Sequence, residues 1–256
     1  MATIIQISDT HFSRNAPEHE AAWHAAGAYI RARKPDLVIH TGDIVHDETC
    51  PDDRAYALER LGSLGVDWLA IPGNHDIGDG PPNGATICPD RVRSFTQTFG
   101  TPRWSRQIGG WKLIGVNAML FGSGTDDERE EWQWLEGQIA RADGVNLMLF
   151  VHKPPFIIAH DEPQNGSAAM PRSARDRFWS AVKASQVRLV ACGHRHEYRV
   201  LQYDGVSIIW APTTSTLQEH TPPFPSDGCV AGLVEYVISG HALMHRLVRL
   251  QALVPA

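Results

Sequence analysis

Paired cysteines, membrane-length apolar runs and surplus basic charge are all missing from this chain, and each absence removes a class of function. The four cysteines, Cys50, Cys88, Cys192 and Cys229, are scattered and never fall in C-x-x-C spacing. Such a pattern argues against a disulfide framework or a thiolate metal site and favours free thiols in a cytoplasmic chain. No apolar stretch approaches the roughly 20 residues of a membrane-spanning helix, so no membrane partner is expected. Met1-Ala2-Thr3-Ile4-Ile5 has no basic region and runs straight into a strand pattern, unlike a secretory signal. Lys and Arg number 23 against 29 Asp and Glu, a net charge of −6. That balance gives no general surface for a nucleic-acid polymer. Arg31, Arg33 and Lys34 fit a solvated helix end before Pro35. Neither a P-loop nor a G-x-G-x-x-G fingerprint follows any strand pattern, which excludes those nucleotide-binding devices.

What remains is an ordinary globular composition, 43% hydrophobic and 20% charged over 256 residues. No repeat, low-complexity tract or linker divides it, so residues 1–256 read as a single domain. Its organising stretch is Gly73-Asn74-His75-Asp76, which follows the apolar run Trp68-Leu69-Ala70-Ile71-Pro72. A short apolar run stopped by Pro-Gly predicts a buried strand that delivers its next residues to the carboxyl edge of a sheet. Ligands bind at that edge in open α/β sheets.

The same arrangement recurs along the chain. A strand over Thr3–Ser8 ends in Asp9-Thr10-His11, whose Asp and His, two apart, share a side of an extended segment. A helix over Glu18–Arg33 leads to the strand Leu37–His40 and then Thr41-Gly42-Asp43. His46 and Asp47 follow, and are assigned supporting or surface positions. A helix over Asp52–Leu64 precedes the Trp68 strand. Further on, the spacing predicts a helix over Arg91–Phe99, a hairpin of Trp104–Ile108 and Trp111–Asn117 about Gly109-Gly110, and a helix over Asp126–Ala140. The buried strand Asn146–Val151 ends in His152. A helix over Ser173–Ser185 leads to the strand Val187–Cys192, which ends in Gly193-His194-Arg195-His196. From Tyr198 onward the pattern is strand: Tyr198–Tyr203, Val206–Trp210, Val230–Tyr236 and His241–Leu250. Irregular segments at 77–90, 156–172 and 213–228 are candidates for substrate choice, and the first could equally serve a subunit interface of a homo-oligomer.

The strand-end residues Asp9, His11, Asp43, Asn74, His152, His194 and His196 form a donor set without a thiolate. Mixed carboxylate and imidazole donors suit Mn, Fe or Zn better than Mg or Ca. One ion that keeps an open position uses about four protein ligands or fewer. Seven donors therefore fit two divalent transition-metal ions bridged by a carboxylate. Such a pair clamps the attacking and leaving oxygens of an in-line displacement at phosphorus. His75 is left free to protonate the departing alkoxide.

The order D-x-H, G-D, G-N-H-D, H, G-H-x-H over Asp9 to His196 resembles the calcineurin-like metallophosphoesterase superfamily. The G-N-H-D form and chain length look most like its class III cyclic-nucleotide phosphodiesterase and glycerophosphodiesterase branch. The resemblance implies an α/β fold, a four-layer αββα sandwich of two mixed sheets, with the last strands supplying the second sheet. It implies one ion on Asp9, His11, Asp43 and His196, and another on Asp43, Asn74, His152 and His194, with Asp43 bridging. It also implies attack by a hydroxide bridging the ions, on a small phosphodiester of cyclic-nucleotide or glycerophosphodiester type. His75, oriented by Asp76, would contact the phosphate beside Asn74 and assist the leaving group. Arg195, where the family more often has a small or apolar residue, is either a surface charge or an added phosphate contact. A phosphomonoesterase or phosphonate-ester hydrolase would use the same residues. A non-catalytic, metal-bound scaffold for protein interaction would be expected to have lost some of them, and none is missing.

Overall fold

The computed structural model describes residues 1–47, 49–79, 87, 89–142, 144–164, 166–215 and 229–250. Strand and helix alternate at first: β1 (Ala2–Ile7), α1 (Glu20–Arg33), β2 (Leu37–His40), α2 (Pro51–Gly62), β3 (Trp68–Ala70), the one-turn α3 (Asn74–Ile77) and α4 (Pro89–Phe99). The hairpin β4 (Trp104–Ile108) and β5 (Trp111–Gly115) follows, then α5 (Asp126–Ala140), β6 (Leu147–Phe150), α6 (Arg172–Lys183) and β7 (Val187–Cys192). Four strands complete the chain: β8 (Arg199–Tyr203), β9 (Val206–Trp210), β10 (Gly232–Ser239) and β11 (Ala242–Arg249).

These strands form two mixed sheets, ordered β11-β10-β1-β2-β3 and β4-β5-β6-β7-β9-β8. The period of two along each strand sorts side chains between layers. In β1, Ile4 packs between the sheets while Ile5 and Ile7 pack under α1 and α2. In β6, Met148 and Phe150 face the first sheet, and Leu147 and Leu149 face α5 and α6. Each such buried aliphatic contributes roughly 1.5–3 kcal/mol over exposure, so a one-residue slip would forfeit two cores at once. Buried indoles also tie the sheets together. Trp104 donates Nε1–H to the Ala70 carbonyl at 2.9 Å, and Trp111 donates to that of Gly240 at 2.9 Å.

The four-layer sandwich is as expected, but the last strands divide differently. β8 and β9 extend the second sheet, whereas β10 returns to the first and pairs antiparallel with β1. The β10–β11 hairpin thereby covers the edge β1 would otherwise expose. The expected loop 77–90 begins inside α3 and ends inside α4, and 80–86 and 88 lie outside the described residues. Of the 213–228 segment only 213–215 are described. Cys50, Cys192 and Cys229 are free thiols, and Cys88 lies outside the described residues. No helix among the described residues is long and apolar enough to cross a membrane.

One buried acid marks the flank of the second sheet. Glu131 on α5 is 2% exposed, accepts the Asn117 N–H at 2.9 Å, and meets Arg103 at 3.3 Å. Burial outweighs both partners and pushes its carboxyl up to about 7. A raised carboxyl favours the fold while protonated, so stability is lost as pH rises from the ordinary glutamate value, about 4.3, through about 7. Glu131→Gln, which keeps an oxygen for Asn117, is expected to remove this loss. Urea unfolding should show the variant gaining on the wild type between pH 5 and pH 8, by an amount on the order of a few kcal/mol. An unchanged difference across that range would refute it.

Candidate metal centre

Local backbone geometry marks the strand ends before any ligand is considered. Among the described residues, seven non-glycine residues have positive φ, and five of them are Asp9 (53°), His11 (46°), Asp43 (53°), His194 (69°) and His196 (54°). Left-handed backbone at a non-glycine residue costs on the order of 1–3 kcal/mol and persists where surrounding contacts over-determine it. Here those contacts come from adjacent strand ends. Asp9 N–H donates to the Gly42 carbonyl at 3.0 Å, and His11 N–H to that of Asp43 at 3.1 Å. Thr213 Oγ1 donates to the Asp9 carbonyl at 2.7 Å.

The parallel strands β1, β2 and β3 deliver Asp9, His11, Asp43 and Asn74 from one sheet; β6 and β7 deliver His152, His194 and His196 from the other. Two groups result. In the first, donor atoms of Asp9, His11, Asp43 and His196 all lie within 4.8 Å of one another; in the second, those of Asp43, His152 and His194 do. Asp43 belongs to both. His196 Nε2 stands 3.3 Å from Asp9 Oδ1 and 3.1 Å from His11 Nε2. His152 Nε2 stands 3.3 Å from Asp43 Oδ1 and 3.1 Å from Asn74 Oδ1, which brings Asn74 to the second group.

The motif glycines allow this closeness. A Cβ on Gly73 would strike the Asp43 carboxylate and lie 2.8 Å from His152 Cε1; one on Gly193 would strike Ser8 Oγ and lie 2.6 Å from Asp9 Oδ2. Gly193→Ala is therefore expected to displace Asp9 and weaken metal binding by at least the roughly 10–100-fold typical of lost ligand support. Titration with Mn(II) followed by metal analysis would check this. Wild-type affinity would contradict the close fit.

Hydrogen bonds behind the cluster orient it. His152 donates Nδ1–H to the Thr41 carbonyl at 2.8 Å, turning Nε2 inward. His194 Nε2–H donates to the Ser167 carbonyl at 2.9 Å, leaving Nδ1 as its inward donor atom. His40 sits behind the loop of Asp43, accepting the Gly42 N–H at 3.2 Å and facing Thr10 Oγ1 at 2.9 Å. Gln6, between the sheets, donates to Thr41 Oγ1 at 3.0 Å and to the Cys192 carbonyl at 3.1 Å. Sequence reading placed His40 and Gln6 within strands and Ser167 within an irregular segment without giving them a role. For His40 and Gln6 the only signal was a polar side chain inside an apolar strand pattern; Ser167 carried none.

Electrostatics prepare most of the donors for a cation. Burial keeps His11 neutral, down at about 3 despite Asp43, and pushes His194 well below the usual imidazole range. Burial opposes ionised Asp9, but His196 and His152 outweigh it and hold its carboxyl at about 2. His152 is the exception. Burial disfavours its charge, yet Asp43 and Asp9 lift it to about 9, so an incoming cation must displace a proton there. The buried Nδ1 of His11 has no hydrogen-bond partner among the described residues, so no carbonyl there fixes its tautomer. Ionised carboxylates, inward imidazole nitrogens and their burial fit a metal ion.

His75 and Asp76 part company. The Asp76 carboxylate accepts N–H bonds from Ile44 (3.0 Å), Val45 (3.1 Å) and Gly73 (2.8 Å), locking α3 against the Asp43 loop. Burial and nearby Asp43 raise it to about 7 against the pull of Gly73 and Val45. It was expected to orient His75 and does not, because its oxygens serve the backbone. The His75 ring instead donates Nδ1–H to the His46 carbonyl at 2.8 Å, and its own N–H donates to Asp43 Oδ1 at 2.8 Å. Burial opposes a charge on His75, but Asp43 and the His46 carbonyl outweigh it, and the imidazole is held above its ordinary range. Arg195 is half-buried beside Glu197 and Cys229, and burial lowers its guanidinium.

Two Asp–His clusters that share a carboxylate, at the carboxyl edges of packed sheets, define a metal-binding α/β protein. The chain belongs to the calcineurin-like phosphoesterase family, whose sequence profile matches residues 2–198. It is 26% identical over 243 residues to the 3',5'-cyclic adenosine monophosphate phosphodiesterase CpdA of Escherichia coli (strain K12), covering 90% of this chain and 82% of that one. It is 27% identical over 246 residues to the glycerophosphodiester phosphodiesterase GpdQ of Enterobacter lignolyticus, covering 82% and 77%. The fold superposes on a dimetal phosphatase from Danio rerio with a TM-score of 0.70, at 12% identity over 97% of this chain and 96% of that one.

Proposed function

We propose that residues 1–256 form one phosphodiesterase domain that hydrolyses small phosphodiesters at a dinuclear centre of Mn, Fe or Zn. The observation that carries this reading is the sharing of Asp43 between the two donor groups. Asp9, His11, Asp43 and His196 would hold one ion; Asp43, Asn74, His152 and His194 the other. Bound there, two divalent ions would stabilise charge on the attacking and leaving oxygens of an in-line displacement and lower the pKa of a water. Asn74 and His75 flank that position on α3 and would hold the phosphoryl oxygens. His75, steered by the His46 carbonyl and with its charged form favoured by Asp43, would deliver its Nε2 proton to the departing alkoxide. Asp76 would serve by fixing the helix from which His75 projects.

Diester chemistry is favoured over monoester or phosphonate-ester chemistry by the relatives named for cyclic nucleotides and glycerophosphodiesters. The Mn-loaded protein should therefore hydrolyse bis-p-nitrophenyl phosphate, cyclic AMP or a glycerophosphodiester with higher kcat/KM than p-nitrophenyl phosphate. Preference for the monoester would overturn the assignment. The segment 156–172 reaches the centre through Ser167, and acts as one determinant of substrate choice. The setting proposed is the cytoplasm, with no polymer or membrane partner.

A further inference from the structure

Three imidazoles outside the two donor groups gather beside His11. The His75 ring lies 4.7 Å from it, that of His46 6.2 Å and that of His19 6.4 Å, centroid to centroid. His46 lies 6.1 Å from His75 and 6.0 Å from His19. Two of the three are fixed the same way: His75 donates Nδ1–H to the His46 carbonyl, and His19 donates Nδ1–H to the His11 carbonyl, each at 2.8 Å. His19, when neutral and held through Nδ1–H, presents the lone pair of Nε2, whereas His75 has its Nε2 proton for the leaving oxygen. The side chain of His46 is exposed and makes no hydrogen bond among the described residues, and Asp47 is turned back onto Thr49, whose N–H and hydroxyl it accepts at 2.8 Å each. These rings do not meet the spacing of the two metal-suited groups. They form a rim, with His46 outermost.

This inference rests on the phosphodiesterase reading and adds to it the nature of the leaving arm. If His75 protonates the departing oxygen, the carbon chain on that oxygen must run outward past His75. His46 and His19 stand next along that side. We propose that they bind hydroxyl groups of the leaving alcohol, so that the site favours diesters of a small polyol over diesters whose leaving arm has no hydroxyl. A presented imidazole nitrogen accepts an alcohol O–H and has nothing to offer a bare alkyl or aryl arm.

The side chain of His46 can be tested without disturbing His75, because His75 is anchored to the His46 backbone carbonyl. His46→Phe keeps a planar ring and removes both nitrogens; His46→Asn restores a polar group. Steady-state kinetics on the Mn-loaded variants would use bis(2,3-dihydroxypropyl) phosphate and bis-p-nitrophenyl phosphate. His46→Phe is expected to raise KM for the polyol diester about 5- to 10-fold, the range of one lost hydrogen bond, with kcat little changed. Its KM for bis-p-nitrophenyl phosphate, its metal content and its inhibition by inorganic phosphate should match the wild type, and His46→Asn should recover part of the polyol KM. An unmoved polyol KM, or equal shifts on both substrates, overturns the subsite while leaving the phosphodiesterase reading in place. Wild-type protein inert towards both diesters overturns that reading, and the subsite with it.

Discussion

Asp43→Ala is expected to weaken both metal positions together, beyond the roughly 10–100-fold that losing an outer hydrogen-bond partner costs a metal site. The reason is geometric. Asp43 Oδ1 lies 3.3 Å from His152 Nε2, Oδ2 lies 3.9 Å from His11 Nε2, and the residue belongs to both donor groups. Removing it leaves imidazoles from two sheets facing each other with less negative charge between them. It also deletes the acceptor of the His75 backbone N–H, so α3 loses an anchor. Diesterase activity should fall by more than about 1,000-fold, since a shared ligand supports charge stabilisation at both reacting oxygens. Asp9→Ala is the control, and should weaken mainly the position shared with His11 and His196. Metal analysis after dialysis, with calorimetric titration of Mn(II), separates the two variants. Two tightly held ions in Asp43→Ala would show that the carboxylate does not bridge.

His75→Ala should keep both ions and lose rate in proportion to the leaving group's need for a proton. Positioned general acids contribute about 10²–10⁴-fold. An alkyl alcohol leaves poorly as an alkoxide, so glycerol diesters should show the whole of that loss. A p-nitrophenolate is stable without a proton, so its diester should show much less. His152→Ala provides the contrast: it removes a metal donor and should slow both substrates alike. If His75→Ala slows both equally with its metals intact, the imidazole acts only by steadying charge on the phosphoryl oxygens.

The neighbourhood of His75 shows where sequence reasoning reached its limit. That residue and the seven proposed donors were legible because each stands at or just after the end of a short apolar run, stopped by Gly, Asp or Pro in most cases and by His152 itself in one. Strand ends on parallel strands share one edge, so listing them comes close to listing the site. Asp76 was misread for a physical reason. Adjacency in sequence suggested that its carboxylate would hold the His75 ring, but on one turn of helix the two side chains point apart. Three backbone N–H groups, one from α3's own start and two from the Asp43 loop, claim its oxygens. The partner of His75 comes from His46, 29 residues earlier in the chain, through a carbonyl that carries no side-chain signature.

The last strands teach the same lesson at the scale of the fold. Alternation identified β8 to β11 as strands, because a period of two depends only on local residue order. It could not assign them to sheets. Pairing depends on which edge lies exposed when the strand arrives, and β10 finds β1, laid down at the start of the chain. By itself, then, the sequence determined the strand–helix order, the donor types and their delivery to strand ends, since these rest on periodicity, turn chemistry and residue identity, and its motif order already pointed to Asp43 as the shared donor. Tertiary structure alone decided that His40, Gln6 and Ser167 support the donor groups, and that His19, His46 and His75 gather beside His11. Each of these is a contact between segments far apart in the chain, and such contacts form only when the two sheets pack.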